Sequence, residues 1–435
     1  MKNSLPILLL LLAGCKQEVK QNNFTADLAQ LQDYFHIPGM ATIVTHGDEI
    51  IYENYSGYAD IENKVPVDSA TVFPMASLTK IFTGYIIMQT PELLDREVES
   101  SFKVRDVLSH TSQGDIGKHF YYSGARFNLL TRVIEDQMTE TFWNVTDGTI
   151  IKPYSLKNTF LLGDSTDLIG NKVAKPYAFE GETKPGYIDY GYSSAAGIVS
   201  TVRDIAKFGK LVQRIPKGQY DYGYFSQDVQ GTRVLWAYGQ YDCYSSLFIK
   251  VPSKDLTLVM AANNNLMSDP ARLIYGDVTT SLFALSFFKD FLDLNIDDRR
   301  AKAVAESFLA RFDVSHAGKS KEYLRAMFSN GDYYDLTTMH TISFLKMVAE
   351  HYGQPPFSEF DPQMKAIGDR LLSIDVNNPY ANIYMGGYYD SRKDVDSARV
   401  HYQRIADLKN FSRNWYTSEA EDWLRQHAST SGSGK

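Results

Sequence analysis

The placement of strand-forming runs constrains this chain more than any other feature. Met40-Ala41-Thr42-Ile43-Val44-Thr45 and Glu49-Ile50-Ile51-Tyr52-Glu53-Asn54-Tyr55 are β-rich and split by His46-Gly47-Asp48, a hairpin pattern. The next comparable runs lie far downstream: RVLWAYGQ from Arg233, YSSLFIK from Tyr244 and LTLVMAAN from Leu256. The last two are separated by Val251-Pro252-Ser253-Lys254-Asp255, good turn chemistry. Helical material dominates the middle, from Ser77 to Asp136 and again from Thr201 to Val212, and Leu28, Leu31 and Phe35 mark a helix over Thr25–Phe35. Strands at both ends of a helical middle imply one sheet assembled from distant segments, an α+β architecture.

Within the helical middle, FPMASLTKIF sets Ser77 and Lys80 three residues apart, on one face of a helix, where hydroxyl and amine can meet. Pro74 reads as the helix start, with Ser77 in the first turn, at the positive end of the helix dipole. A serine becomes a nucleophile only beside a base, and a lysine serves once its surroundings leave it partly neutral. Phe73, Met75, Leu78, Ile81 and Phe82 supply a dry setting. The spacing alone also fits a plain helix with a serine at its start. Three further S-x-x-K matches occur, at Ser100/Lys103, Ser286/Lys289 and Ser343/Lys346, so the surroundings must decide.

Those surroundings include Leu108-Ser109-His110-Thr111-Ser112, then Tyr121-Tyr122-Ser123-Gly124, then Ala196-Gly197-Ile198-Val199-Ser200-Thr201 followed by Asp204-Ile205. In this order they resemble the S-x-x-K, L-S-H-T-S, Y-S-N and small-residue segments of the serine β-lactamase-like family, related to penicillin-binding proteins, in its class C and esterase branch. The resemblance covers Leu28 to Leu294. It implies a five-stranded antiparallel sheet flanked by helices, with a helical lobe. It makes Ser77 the acylated nucleophile, Lys80 its proton acceptor and Tyr122 the group that shares the proton and passes it to the leaving group. The backbone N–H groups of Ser77 and Gln240 would form the oxyanion hole, and His110 is structural in the family. Two positions depart from the pattern. The closing-strand K-T-G or H-x-G reads Ala237-Tyr238-Gly239, so the glycine is kept and the cationic or imidazole group is lost. The asparagine of Y-S-N is Gly124. Both departures point away from β-lactam or D-Ala-D-Ala recognition.

The organisation expected from this is a signal peptide at 1–14, a tether at 15–24, the β-lactamase-like domain at 25–294, an α-helical repeat-like region at 295–428 and a flexible tail at 429–435. Met1-Lys2 precedes an apolar run from Leu5 to Leu12 that is too short to span a bilayer. It ends in Leu12-Ala13-Gly14-Cys15, which resembles a bacterial lipobox, so Cys15 is the expected lipidation site; the alternative is a secretory signal with an incidental cysteine. The expected location is the bacterial cell envelope, with the chain anchored to a membrane by acyl chains. Cys243, the other cysteine, reads as a small buried residue in a strand-like run. Late in the chain Met385-Gly386, Tyr389, Ala398 and Tyr402 sit at offsets resembling one tetratricopeptide helix pair.

Composition excludes some classes. A net charge of −8 without a basic block argues against nucleic acid as a partner, and nine scattered histidines without paired spacing argue against a metal site. No cofactor is implied. Two functions remain: a lipid-anchored serine hydrolase acting through an acyl-enzyme on a small ester, amide or D-amino-acid peptide, and a non-catalytic scaffold that binds a ligand or protein partner, the C-terminal helices being the partner surface.

Overall fold

The computed structural model describes residues 23–212, 222–268, 273–296, 301–310, 312, 315–329, 338–339, 341–342, 345–346, 358–408 and 415–428. The leader, Cys15, most of the tether, Ser343 and the tail lie outside the described residues. The chain forms two compact units: one comprises the chain up to Ser100, Gly124–Leu273 and Val278–Asp298, the other Ser101–Ser123, Ile274–Asp277 and the chain from Arg299.

The first unit is built on an antiparallel sheet. A helix at residues 23–34 (α1) leads into β1 (Gly39–His46), which turns through Gly47-Asp48 into β2 (Glu49–Asp60) and the two-residue β3 (Val65–Pro66). Gly47 takes a left-handed φ of +58°, which the two-residue turn requires. A small sheet places β6 (Ile198–Ser200) between β4 (Phe73–Pro74) and β5 (Phe160–Leu161). The large sheet is completed by β7 (Phe225–Val229), β8 (Thr232–Tyr241), β9 (Tyr244–Val251) and β10 (Leu256–Ala262). Its order is β7-β8-β9-β10-β1-β2-β3, so the N-terminal hairpin joins the C-terminal strands through β1 and β10, with Met40 opposite Ala262 and His46 opposite Leu256. The resemblance implied five strands; seven are present, the short β3 and β7 extending the two edges.

Every residue of β9 and β10 is buried, which requires cover on both faces of the sheet. Helix α2 (Thr79–Met88) and α3 (Val202–Gly209) lie on one side. A Cβ at Gly209 would come within 2.8 Å of Thr257 and 3.0 Å of Phe248, and Phe82 of α2 stacks on Phe208 at 4.2 Å. Val44 and Tyr52 are opposite one another, one residue out of phase with the Thr45–Thr257 pair. Tyr52 therefore faces the other side, where its ring meets Phe24 of α1 and Phe291 of α4 (Leu282–Leu292). Fully burying each of these aromatic side chains is worth roughly 1.5–3 kcal/mol.

Two local expectations are corrected. Pro74 is not the first residue of a helix but the second residue of β4, pairing with Val199. Proline fits there because its missing N–H is tolerated in a short edge strand. Cys243 is buried as expected, but it occupies the turn between β8 and β9 rather than a strand.

Among the described residues the second unit is mainly helical. Beyond Arg299 it contains α5 (Ala301–Leu309), α6 (Ser315–Ser329), α7 (Asp361–Ile374), α8 (Pro379–Asp390), α9 (Val395–Ala406) and α10 (Trp415–Gln426). Helices α8 and α9 form a hairpin in which the Tyr402 ring would lie only 2.9 Å from a Cβ at Gly386, so the glycine admits the ring. Ile383, Ala398, Tyr402, Ile405, Tyr416 and Trp423 share one core with Tyr380 and Tyr384 at its margin. Ala317, Leu324, Met339, Ile342, Phe360 and Ile367 form another. Among the described residues no helix is long and apolar enough to cross a membrane.

Candidate active site

Ser77 is presented by a strand, a tight turn and a helix. Beyond β4, the Met75 N–H donates to the Ile198 carbonyl at 2.8 Å, and Ala76 then takes a left-handed φ of +47°. That conformation is strained for alanine and turns the chain sharply. Ala76–Leu78 is one turn of 3-10 helix, which passes into α2 at Thr79. The Thr79 hydroxyl locks this corner, donating to the Ala76 carbonyl at 2.8 Å and accepting from the Ile198 N–H at 3.0 Å.

One turn on, Lys80 Nζ lies 2.8 Å from Ser77 Oγ and donates to the Ala195 carbonyl at 2.9 Å. Lys80 is 2% exposed, whereas Ser77 is half-buried. The ammonium also sits over the Phe127 ring, 5.4 Å from its centroid. An amine in this setting has lost nearly all its water. The segment Ser193–Gly197 that supplies the carbonyl is stapled to its surroundings. The Thr83 hydroxyl donates to the Ser194 carbonyl at 2.7 Å, Ser194 Oγ to the Phe127 carbonyl at 2.6 Å, and Ser193 Oγ to Asn128 Oδ1 at 2.6 Å. Sequence reasoning marked this small-residue segment as a motif but did not identify Ala195 and Phe127 as the groups that hold Lys80.

The turn carrying Ser77 packs directly on β8. Ser246 Oγ, on β9, donates to the Met75 carbonyl at 2.9 Å, and Gly239, opposite Ser246, lies against the same carbonyl. A Cβ at position 239 would fall 2.0 Å from that oxygen and 2.3 Å from Ser246 Oγ. The pairing of β7 with β8 stops at Trp236, so the stretch from Ala237 to Tyr241 runs past the end of that neighbour. Alternation along β8 puts Ala237 on the same face as Gly239, toward the Ser77 turn, and the Gln240 side chain on the opposite face with Trp236 and Tyr238. Ala237 is buried, and its methyl group stands where the resemblance calls for a cation or imidazole.

Just past Gln240, the turn bearing Asp242 meets Tyr187 and lies near Asp189. Burial, with the nearby Asp242 charge second, raises the Asp189 carboxyl above its ordinary range. The Tyr187 hydroxyl donates to Asp242 and is pushed up to about 12, chiefly by that hydrogen bond.

Of the other residues singled out, Tyr122 and His110 belong to the second unit. Their rings stack at 4.4 Å, the Tyr121 N–H donates to the His110 carbonyl at 2.7 Å, and His110 has a left-handed φ of +54°. Gly124 opens the short helix Gly124–Asn128 of the first unit. Lys289, of the match at Ser286, pairs with Asp27. Among the described residues no cluster of three or more His, Cys, Asp or Glu side chains could hold a metal ion.

Residues 24–277, more than half of the chain, match the family described as Beta-lactamase. Among curated proteins, a D-aminopeptidase of Gluconobacter oxydans is 19% identical over 233 residues, covering 43% of this chain and 44% of that protein. A D-aminopeptidase of Brucella anthropi is 21% identical over 225 residues, 40% of this chain and 42% of that protein. This chain thus spans less than half the length of either. Protein flp of Staphylococcus aureus is 21% identical over 304 residues, 53% of this chain and 60% of its own length. Among solved structures, a penicillin-binding protein homologue from Pyrococcus abyssi superposes with a TM-score of 0.56 at 17% identity, over 67% of this chain and 81% of that one. A class C beta lactamase gives a TM-score of 0.50 at 16% identity, over 62% of this chain and 98% of its own. The match to residues 24–277, the antiparallel sheet flanked by helices and the Ser77–Lys80 corner agree, and the chain belongs to the beta-lactamase family of serine hydrolases.

Proposed function

We propose that the chain hydrolyses a small ester, amide or D-amino-acid peptide through an acyl-enzyme on Ser77. The contact of Lys80 Nζ with Ser77 Oγ at 2.8 Å carries the reading. In its neutral form Lys80 takes the Ser77 proton as Oγ attacks the substrate carbonyl, and Tyr122 relays that proton to the departing amine or alcohol. Water then cleaves the acyl-serine ester by the reverse proton path. Main-chain N–H groups of Ser77 and Gln240 receive the developing oxyanion; losing such a donor typically costs on the order of 10²–10³ in rate.

The methyl group at Ala237 offers a substrate carboxylate no charge partner, which favours esters and uncharged amides over carboxylate-bearing β-lactams. The D-aminopeptidase relatives support peptides of D-residues as one substrate class. The Leu12-Ala13-Gly14-Cys15 stretch supports lipid anchoring of Cys15 in a bacterial cell envelope, and the packing of Gly386 against Tyr402 supports a tetratricopeptide-like character for the α8–α9 pair. The alternative, an inactive scaffold binding a ligand or partner, draws on Ala237 and on Gly124 in place of the Y-S-N asparagine.

Labelling with a fluorophosphonate separates the two. The hydrolase gives one covalent adduct by intact mass, absent in Ser77→Ala and much slowed in Lys80→Ala. A folded parent that takes no adduct leaves the scaffold.

A further inference from the structure

We propose that Ser418 on α10 is a positioning residue for the reaction: through the Phe120 main chain it fixes the segment that presents Tyr122. The proposal rests on the reading of Tyr122 as the proton relay.

The Phe120 N–H donates to Ser418 Oγ at 2.8 Å, a link between residues 298 positions apart in sequence. Both residues are nearly inaccessible, at 4% and 3% exposure. Ser418 Oγ accepts from a buried main-chain donor, and native proteins rarely leave such a donor without its acceptor. One helical turn on, Asp422 lies on the same face of α10, its carboxylate 3.6 Å from His119 Nδ1. Two successive residues of the segment, His119 and Phe120, therefore meet α10.

From Phe120 the constraint reaches Tyr122 by direct contact. The Phe120 ring meets His110 edge-on at 6.0 Å, and His110 in turn stacks on Tyr122 at 4.4 Å. The Tyr121 N–H donates to the His110 carbonyl, and the Ser123 N–H approaches His110 Nδ1 at 3.5 Å. The chain thus wraps around His110, and the Phe120 N–H ties the wrap to α10.

Helix α10 is itself held firmly enough to serve as an anchor. The Tyr416 hydroxyl donates to Asp277 Oδ2 at 3.1 Å, and the Tyr380 hydroxyl of α8 donates to Oδ1 of the same carboxylate at 3.2 Å. Trp415 stacks on Tyr275 at 4.7 Å, and Trp423 on Tyr402 at 4.6 Å. Small displacements of a reacting group cost rate steeply, about 10²-fold for 1 Å. A helix anchored this way gives the segment that carries Tyr122 a fixed support within its own unit.

The test uses the full-length protein with Ser418→Ala, Tyr122→Phe and the double variant. The two substrates are D-alanine p-nitroanilide, whose amine must be protonated to leave, and p-nitrophenyl acetate, whose phenolate leaves unaided. Ser418→Ala is expected to lower kcat about tenfold on the anilide and less than about threefold on the acetate, with no further loss when added to Tyr122→Phe. Equal losses on both substrates, or a repeated tenfold loss in the Tyr122→Phe background, would overturn the proposal. Amide exchange over residues 110–123 is measured on the same proteins and must accelerate in Ser418→Ala; unchanged exchange sinks the proposal whatever the activity. A wild-type protein that turns over neither substrate and takes no fluorophosphonate refutes the hydrolase reading separately, and the exchange measurement still decides whether α10 holds the segment.

Discussion

Replacing Gly239 with alanine tests the close approach on which the site geometry depends. The added Cβ would sit 2.0 Å from the Met75 carbonyl oxygen and 2.3 Å from Ser246 Oγ. Ordinary contact needs about 3.4 Å, so the turn bearing Ser77 and strand β8 must separate by about 1.4 Å. The Ser246 side chain can rotate; the Met75 carbonyl cannot, because it is fixed between β4 and the strained Ala76 corner. Gly239 has no left-handed φ, so alanine meets no backbone penalty and the effect isolates the clash. Overpacking of this size costs about 1–3 kcal/mol of stability, and a 1 Å displacement of Ser77 from the proposed oxyanion donor, the Gln240 N–H, would cost about 10² in rate. The assay is the second-order rate of fluorophosphonate labelling beside a thermal melt. Gly148→Ala is the control, since a Cβ there meets nothing within 4 Å. If Gly239→Ala labels at the parental rate with an unchanged melting temperature, the packing of the Ser77 turn on β8 does not matter for reactivity and the argument fails.

Other outcomes follow from particular contacts. Lys80→Ala should slow labelling by about 10²–10⁴, and Lys80→Arg should not restore it, because a guanidinium stays protonated; rescue by arginine would show that charge, not proton acceptance, is what Lys80 supplies. His401 is buried against Tyr389, with its Nδ1 2.9 Å from Asn382 Oδ1, and burial lowers its pKa from 6.5 to about 4. The unfolded chain binds that proton first, so the stabilisation is complete above pH 6.5 and is lost as pH falls toward 4, on the order of 3 kcal/mol in all. Chemical denaturation from pH 7 to 4 should show this slope, and His401→Gln should flatten it; an unaltered slope in the variant assigns it elsewhere. Asp277→Ala removes the shared acceptor of the Tyr380 and Tyr416 hydroxyls and should cost about 3 kcal/mol, read as a lowered unfolding midpoint.

What the sequence discloses follows how local each signal is. The hairpin at His46-Gly47-Asp48 and the turn at Pro252–Lys254 are written in a few adjacent residues, and the strands appear where those residues direct. Pro74 misled because proline suits both the first position of a helix and a short strand, and only the pairing with Val199 chooses. The Ser77–Lys80 contact was readable, since three residues on a helix suffice to bring the groups together. The groups that hold Lys80 were not, because Phe127 and Ala195 reach it from other segments. Least legible of all is the clustering of residues 101–123 with the C-terminal helices, in which Phe120 meets a serine hydroxyl 298 residues away and which leaves no local trace.

The insertion of β1 between β2 and β10 has a further consequence, for the order in which the protein comes into being. The hairpin is complete once residue 60 has left the ribosome, but the inner edge of β1 stays unpaired until its partners up to Ala262 have followed. A sheet closed by contacts this distant in sequence folds slowly and exposes an apolar edge while it waits. Gly239 and Ser246, against which the Ser77 turn rests, are synthesised in that same late stretch. Substitutions in β8 to β10 should therefore reveal themselves first in yield and solubility, before any purified protein is assayed.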